Sequence, residues 1–153
     1  MLKISTKTRY ALRAMLEMAC RKGQKLFSLG ELSAHQHISR KYLEQIFRQL
    51  KIKGLVKSRV GKLGGFYLPE NLRAITILRI LEALEGDIQI VDCRKKATQC
   101  DNILFCPAKG IWQEVNTSIK KILASKNLKE LSVNKKIREG CSYFFLPNKK
   151  PRR

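Results

Sequence analysis

The sequence predicts a mainly α-helical fold with one small β-hairpin, and three patterns support this prediction. From Tyr42 to Leu50, apolar residues recur at spacings of three and four, which places them on one face of a helix. Glycines at positions 61, 64 and 65 separate two short apolar segments, as in a hairpin with a tight turn. Between Trp112 and Ile122, apolar residues again recur in steps of three and four, which is typical of a helix that packs along another helix.

The composition indicates a globular, strongly basic protein. The 153 residues suffice for one domain, or for a small domain with an appended dimerisation element. Hydrophobic residues make up 44% of the chain, which argues against disorder throughout. The 32 lysines and arginines against 12 acidic residues give a net charge of +20, which attracts polyanions. We expect nucleic acid as the first partner and an anionic membrane as the second, with a merely soluble basic protein as the alternative.

The N-terminal segment does not have the pattern of a secretion signal, because Arg9, Arg13 and Glu17 interrupt its apolar runs. No apolar stretch approaches the roughly 18 residues that span a bilayer. We therefore expect a cytoplasmic protein. Five cysteines in such a chain argue against a disulfide framework and favour metal or redox use.

Three helices are predicted before the hairpin. An amphipathic pattern places the first at about Thr6–Arg21. Residues 28–31 have the form of a capping box and start a short helix that runs to about His35. Ser39 is predicted to cap the third helix, and Gly54 follows its last apolar residue. Two helices joined by a short turn, the second richer in polar groups, form a helix-turn-helix.

A wing is predicted directly after these helices. A short strand at Leu55-Val56 is followed by a basic, glycine-rich tip and by a return strand at residues 66–68, which Pro69 stops. A helix-turn-helix with such a hairpin is a winged helix. Its last helix can lie in a DNA groove while the cationic hairpin reaches the neighbouring phosphates.

Candidate DNA-contacting residues lie in the first two turns of the third helix and in the wing. Glutamine can pair with adenine, lysine with guanine, and glutamate with the cytosine amino group. Basic side chains of a wing suit phosphate or minor-groove contacts. The candidates are Ser39, Arg40, Lys41, Glu44 and Gln45 on the helix, and Arg59 and Lys62 in the wing. The alternative for the helix residues is an exposed, solvated face.

The rest of the chain continues with a helix that Thr76 is predicted to cap and that ends near Gly86. The helix with the apolar stripe can pair with a partner helix or, alternatively, pack on its own domain. We place a winged helix-turn-helix domain at 1–86, a cysteine-containing loop at 87–110, a dimerisation helix region at 111–134 and a disordered basic tail at 135–153.

Three cysteines carry the clearest chemistry. Cys93, Cys100 and Cys106 stand at C-x6-C-x5-C spacing in a predicted loop, where three sulfurs can converge. Thiolates are soft ligands that suit iron–sulfur clusters, zinc or cuprous copper, and nearby cations lower thiol pKa values. Three interpretations of this spacing remain. The cysteines can hold an iron–sulfur cluster, they can bind zinc or form a reversible disulfide, or they can be inert. Cys20 is interpreted as a small buried hydrophobe, and Cys141 is given no role.

No enzyme is predicted. The sequence has no GxxxxGK phosphate loop, no HExxH motif and no convincing pair of nucleophile and base. His35 and His37 are isolated in the sequence, and we assign neither of them a ligand role.

Several motifs together resemble the IscR/NsrR-type winged-helix transcription regulators, a family that also includes the cysteine-metabolism repressor. The resemblance covers about Thr8 to Leu131, and the three cysteines and the following Trp112 are part of it. Its motifs are T-x-Y-A-L-R-A-M at 8–15, Y-L-E-Q-I-F at 42–47, L-x-x-x-G-L-V-x-S at 50–58, G-x-x-G-G-F-x-L at 61–68 and L-E-G at 84–86.

The resemblance implies a homodimer with a long dimerisation helix after the cysteine loop. It also implies an iron–sulfur cluster, of the 2Fe–2S type, that senses iron–sulfur status, redox state or nitric oxide. This chain has Lys109 where one subgroup has a histidine ligand, and Arg9 where another has an acidic ligand from the first helix. Val60 stands where the family often has an arginine before the wing glycine. The fourth cluster ligand is not assigned.

The residues and the resemblance lead to one hypothesis and one alternative. The hypothesis is a homodimeric transcriptional regulator that binds an inverted-repeat operator in double-stranded DNA, with an affinity modulated by a cluster on Cys93, Cys100 and Cys106. It has neither a membrane nor a small-molecule substrate as a partner. The alternative is a constitutive basic nucleic-acid-binding module whose cysteines bind zinc, form a disulfide or are inert.

Overall fold

The computed structural model describes residues 4–21, 26–91 and 105–145, with side chains described as far as Cys141. The elements follow in the order α1 Thr6–Cys20, α2 Leu29–Gln36, α3 Arg40–Ile52, β1 Lys57–Arg59, β2 Gly65–Tyr67, a 3-10 helix Leu72–Ala74, α4 Ile77–Glu85, α5 Lys109–Ser125, α6 Leu128–Val133 and α7 Lys135–Phe145. This mainly helical fold with a two-stranded antiparallel sheet confirms the predicted fold class. Within the described ranges, no helix is both long and apolar enough to cross a membrane.

One hydrophobic core lies between α1, α2, α3 and α4. Helices α1, α3 and α4 turn an apolar face inward, because burying that face removes apolar surface from water, and α2 contributes Leu32. Fully buried side chains of this core include Ala11, Met15, Leu32, Leu43, Ile46, Phe47, Leu50 and Ile80.

Side-chain caps begin the helices where the sequence predicts them. The hydroxyl oxygens of Ser28, Ser39 and Thr76 accept hydrogen bonds from the N–H groups of Glu31, Tyr42 and Arg79 at 3.1, 3.3 and 3.2 Å. Each bond satisfies a helix-terminal donor that has no partner within the helix. These three predicted caps are confirmed.

The wing begins two residues later than predicted. Leu55 and Val56 are buried, and the strand starts at Lys57, which pairs with Tyr67. The predicted strand at Leu55-Val56 is therefore wrong: these side chains are buried in the core directly before the hairpin. The return strand is the one predicted, shifted by one residue.

A third backbone segment extends the small sheet. The N–H of Phe27 donates to the carbonyl of Phe66, and the N–H of Phe66 donates to the carbonyl of Phe27, both at 2.8 Å. A Cβ atom at Gly65 would stand only 2.6 Å from the carbonyl oxygen of Phe27, so this close approach requires glycine. The base of the wing is thereby fixed to the segment before α2.

The chain returns to the winged-helix core after α5. The N–H of Leu128 donates to the carbonyl of Ile75 at 3.0 Å, and the N–H of Ile77 donates to the carbonyl of Lys126 at 2.9 Å. Leu128 is fully buried in the core. Helix α6, which falls in the predicted dimerisation region 111–134, therefore packs on the chain's own domain.

Helix α7 differs from the predicted disordered tail. Residues 135–145 form a helix whose first turn is capped by Asn134, since its side-chain oxygen accepts from the N–H of Ile137 at 3.3 Å. The helix packs against α1 and α6. A charged segment was expected to be solvated, but within this helix Ile137 and Cys141 are half-buried. Residues 146–153 lie outside the described part of the chain.

Candidate nucleic-acid interface

The turn between α2 and α3 sets the orientation of α3. His37 adopts a left-handed conformation with φ of 53°, which ends α2 and reverses the chain. Ile38 is buried, and its carbonyl oxygen accepts a hydrogen bond of 2.6 Å from the hydroxyl of Ser33. The turn is thus held by one apolar anchor and one side-chain hydrogen bond, and α3 begins immediately after it.

Helix α3 buries one face and exposes the other. Leu43, Ile46, Phe47 and Leu50 are buried. The five helix residues predicted to contact DNA are all exposed, namely Ser39, Arg40, Lys41, Glu44 and Gln45. The structure therefore brings them together on one solvent-facing surface at the start of α3.

Two of these candidates are paired in the free protein. The Nε of Arg40 lies 3.2 Å from Oε1 of Glu44, and both side chains are more than half exposed. A surface pair at this spacing is worth only about 0.3–0.5 kcal/mol, so a phosphate or a base edge can replace either partner. Ser39 already accepts the capping hydrogen bond from Tyr42, which gives it a structural role in addition to its position.

The wing places its basic residues beside α3. Arg59 ends β1 and Lys62 lies in the tip, and both side chains are exposed. The aromatic rings of Phe47 on α3 and Phe66 on β2 contact each other edge to face, with centroids 5.0 Å apart. The helix and the wing therefore form one cationic surface with a fixed relative position.

A buried polar network supports this surface and is absent from the sequence-based prediction. The carboxylate of Glu17, only 1% exposed, accepts a hydrogen bond of 2.5 Å from Nε2 of Gln36 and lies 2.7 Å from Nδ1 of His35. Arg13 donates to both the side chain and the backbone of Gln36 at 3.0 Å. The network fixes α2 to α1. In the sequence, the one feature that could have indicated this network is Glu17, a charged residue on the apolar face of α1.

The cysteine region is described only at its C-terminal end. Cys106 is half-buried, and its carbonyl oxygen accepts from the N–H of Lys109 at 3.2 Å, directly before α5. Cys93 and Cys100 lie outside the described residues, so the predicted convergence of three sulfurs stays a prediction. Among the residues that are described, no group of three or more His, Cys, Asp or Glu side chains could hold a metal ion.

The two remaining cysteines, Cys20 on α1 and Cys141 on α7, lie near each other. Cys20, at the end of α1, is half-buried with its Sγ 3.9 Å from the carbonyl oxygen of Ser132. Burial raises the pKa of the Cys141 thiol to about 12, and a hydrogen bond with the Cys20 thiol adds to this rise. Cys141 is therefore protonated at neutral pH, which makes it a poor metal ligand.

Helix α5 carries the predicted apolar stripe on an open surface. All of α5 is described, and none of its residues is fully buried in the single chain. Of the predicted stripe residues Trp112, Val115, Ile119 and Ile122, three are exposed and Ile119 is half-buried. The neighbouring Ile111 is 61% exposed. Asp87 lies 2.5 Å from Nζ of Lys120, and the side chain of Asn116 accepts from the N–H of Ile90, so the opposite face is tied to the domain.

Comparison with known proteins identifies relatives along most of the chain. An HTH-type transcriptional regulator of Haemophilus influenzae is 35% identical over 135 residues, which cover 88% of this chain and 89% of the relative. The HTH-type transcriptional regulator IscR of Vibrio parahaemolyticus is 31% identical over 138 residues, 90% of this chain and 82% of that protein.

Solved structures share the fold. CymR, the global cysteine regulator of B. subtilis, is 37% identical with a TM-score of 0.72, and the match covers 86% of this chain and 97% of CymR. IscR of T. potens is 34% identical with a TM-score of 0.66, covering 85% of this chain and 86% of that one. The family model of Rrf2, the iron-dependent transcriptional regulators, matches residues 4–134. The chain therefore belongs to the Rrf2 family of transcriptional regulators, and it is not an enzyme.

Proposed function

We propose that the protein is a homodimeric regulator that binds an inverted-repeat operator in double-stranded DNA and whose affinity depends on an iron–sulfur cluster. The observation that carries the DNA-binding part is the single cationic surface formed by the exposed start of α3 and the wing. A helix N-terminus with exposed Lys41 and Gln45 suits base edges in the major groove. Arg59 and Lys62 in the wing suit the flanking backbone.

The dimer is supported by the apolar stripe of α5. Trp112, Val115 and Ile122 of the stripe are exposed in the single chain, Ile119 between them is half-buried, and Ile111 beside Trp112 is exposed as well. A soluble protein seldom leaves such a continuous apolar row in water, and packing two copies of the row against each other would bury it. A two-fold dimer presents two α3 helices to successive turns of the DNA major groove.

The cluster is supported by donor chemistry rather than by geometry. Cys93, Cys100 and Cys106 lie within fourteen consecutive residues of the chain, and Arg94, Lys95 and Lys96 supply positive charge that offsets thiolates. A bound cluster responds to redox state and nitric oxide through its iron and sulfide. Cys106 lies three residues before the first residue of α5, so a cluster held by this cysteine would bias the position of α5 and hence the spacing of the two wings.

Footprinting and metal analysis test the three parts of this function separately. The anaerobically purified protein should protect a two-fold symmetric site as a dimer, and removal of iron by a chelator should change its affinity for that site. A monomer that protects an asymmetric site would reject the dimer. A symmetric footprint that ignores iron removal would support the constitutive binding module instead.

A further inference from the structure

The tip of the wing exposes two aliphatic side chains among basic ones. Val60 is 96% exposed and Leu63 is 87% exposed, and both lie between the end of β1 and the start of β2. Exposed aliphatic groups of this size interact poorly with water. Two of them at the end of one short projection form an apolar point that is available for contact.

The tip is held in a defined shape. The N–H of Gly64 donates to the carbonyl of Gly61 at 2.9 Å, and a Cβ atom at Gly64 would stand 2.5 Å from the carbonyl oxygen of Arg59. Gly61 has a φ of 131°, which disfavours any other residue. The turn is therefore tight, so the contact of Val60 and Leu63 with a partner costs little further ordering.

The positive charge around the tip indicates the chemical class of its partner. Lys57, Arg59 and Lys62 lie in the same hairpin, and no acidic residue occurs between positions 57 and 69. The partner is consequently a polyanion that also offers an apolar surface. The minor groove of DNA combines both, because its walls are the C–H groups of the sugars and its rims are phosphates. Proteins that bind there often insert apolar side chains at a base step.

The position of the wing beside α3 determines which DNA groove the tip can reach. The contact between Phe47 and Phe66 and the hydrogen bonds of Phe27 fix the hairpin at the side of α3. When α3 occupies a major groove, a rigid hairpin at its side meets the adjacent backbone and the minor groove beyond it.

We propose that Val60 and Leu63 form an apolar wedge that enters the minor groove next to the major groove occupied by α3. The inference rests on the proposed DNA-binding function and adds to it a contact that is independent of salt. Lys57, Arg59 and Lys62 bind the phosphates that border the wedge. The wedge favours base steps that widen or unstack easily, so it contributes to site preference without hydrogen bonds to bases.

The test uses the full-length protein, a duplex that the wild type selects from a random-sequence pool, and two variants. The first variant carries Val60→Ser and Leu63→Ser together, and the matched control carries Val133→Ser, an exposed valine at the end of α6. All affected side chains are exposed, so circular dichroism and thermal melting should match the wild type. Affinity is then measured over a series of salt concentrations.

The wedge predicts that the double variant binds the duplex about tenfold more weakly at every salt concentration, because each buried aliphatic group contributes through the hydrophobic effect. The slope of log Kd against log salt should stay unchanged, since an apolar contact releases no counterions. The Val133→Ser control should bind like the wild type.

Three results would overturn the inference. If the double variant and the wild type bound the duplex with equal affinity, the apolar wedge would be rejected, and the proposed DNA-binding function would stand. If the wild type bound no duplex from the pool, both the proposed DNA-binding function and the wedge would be rejected. If the double variant lost only its binding to vesicles of anionic phospholipid and kept its duplex affinity, the tip would be a membrane contact.

Discussion

The ring of Phe47, fully buried on the inner face of α3, packs edge to face against the ring of Phe66 in β2 with an interplanar angle of 70°. This pair joins α3 to the wing, in addition to the chain segment at residues 53–56 that links the two elements. Through this contact, the exposed start of α3 and the wing are held in a fixed relative position.

The first prediction concerns this aromatic pair. A double-mutant cycle with Phe47→Leu and Phe66→Leu should show a coupling energy of about 0.5–1.5 kcal/mol, because the edge-to-face contact adds to simple area burial. Urea unfolding of the four proteins gives the energy. Additive effects of the two changes would mean that the rings pack independently.

The second prediction separates base contacts from phosphate contacts. Gln45→Ala should cost roughly 1–3 kcal/mol on the preferred duplex and relax the preference at one position, since glutamine reads base edges. Lys62→Ala should weaken binding to all duplexes similarly and reduce the salt slope by about one, since lysine binds phosphate. Titrations on matched and mismatched duplexes check this. Identical behaviour of the two variants would show that the recognition face is assigned wrongly.

The third prediction concerns the cysteines. Anaerobic protein should be coloured and contain iron and acid-labile sulfide in similar amounts, and Cys93→Ser, Cys100→Ser or Cys106→Ser should each bleach it because three thiolates are the cluster ligands. Cys20→Ser and Cys141→Ser are the matched controls and should keep the colour.

The cluster is also expected to be lost quickly in air. The charged ammonium of Lys109 has no lone pair to offer where a related subgroup has histidine, and Lys109→His should therefore prolong the colour. Visible absorption measured against time checks this. A colourless protein that holds zinc, or a requirement for Cys141, would reject the cluster.

The fourth prediction concerns acid stability at the contact between α1 and α4. Burial by itself raises the pKa of Glu85, but hydrogen bonds from Ser5 and Thr8 and the charge of Lys7 outweigh it, so its pKa lies below the ordinary value of 4.5. A carboxylate with a lowered folded pKa stabilises the fold above its unfolded pKa and loses that contribution as the pH falls through the folded value.

Glu85→Gln should therefore lower the free energy of unfolding at pH 7, by under about 1 kcal/mol because the side chain is exposed. The difference from the wild type should vanish at pH values well below 4.5. Urea unfolding at several pH values measures it, with Glu70→Gln as an exposed control. A difference that is independent of pH would contradict the assigned cause.

Local signals predicted most of the fold. The caps at Ser28, Ser39 and Thr76 and the apolar periodicity of α1, α3 and α4 depend on residues within a few positions of one another, so each could be recognised in isolation. The exposure of the DNA-contacting candidates followed from the same periodicity, because a helix that buries one face exposes the other.

The misassigned segment at Leu55-Val56 shows where local reasoning fails. An apolar pair between polar residues fits a strand, but both side chains are buried in a bend and the strand pairing begins only at Lys57. The local pattern of two apolar residues is the same for a strand and for a bend that is buried in the core, so only the tertiary structure distinguishes them.

The sequence alone specified α1 to α5, the hairpin and the cationic charge, since periodicity, capping and composition act over short distances. Three features depended on the folded chain: the return of α6 to Ile75, the helix in the expected tail and the Glu17 network. Each joins residues far apart in sequence, and its stability comes from surfaces that exist only after the helices have packed. A buried carboxylate such as Glu17 is tolerated because α2 supplies its hydrogen-bond donors, and only the tertiary arrangement brings them within reach.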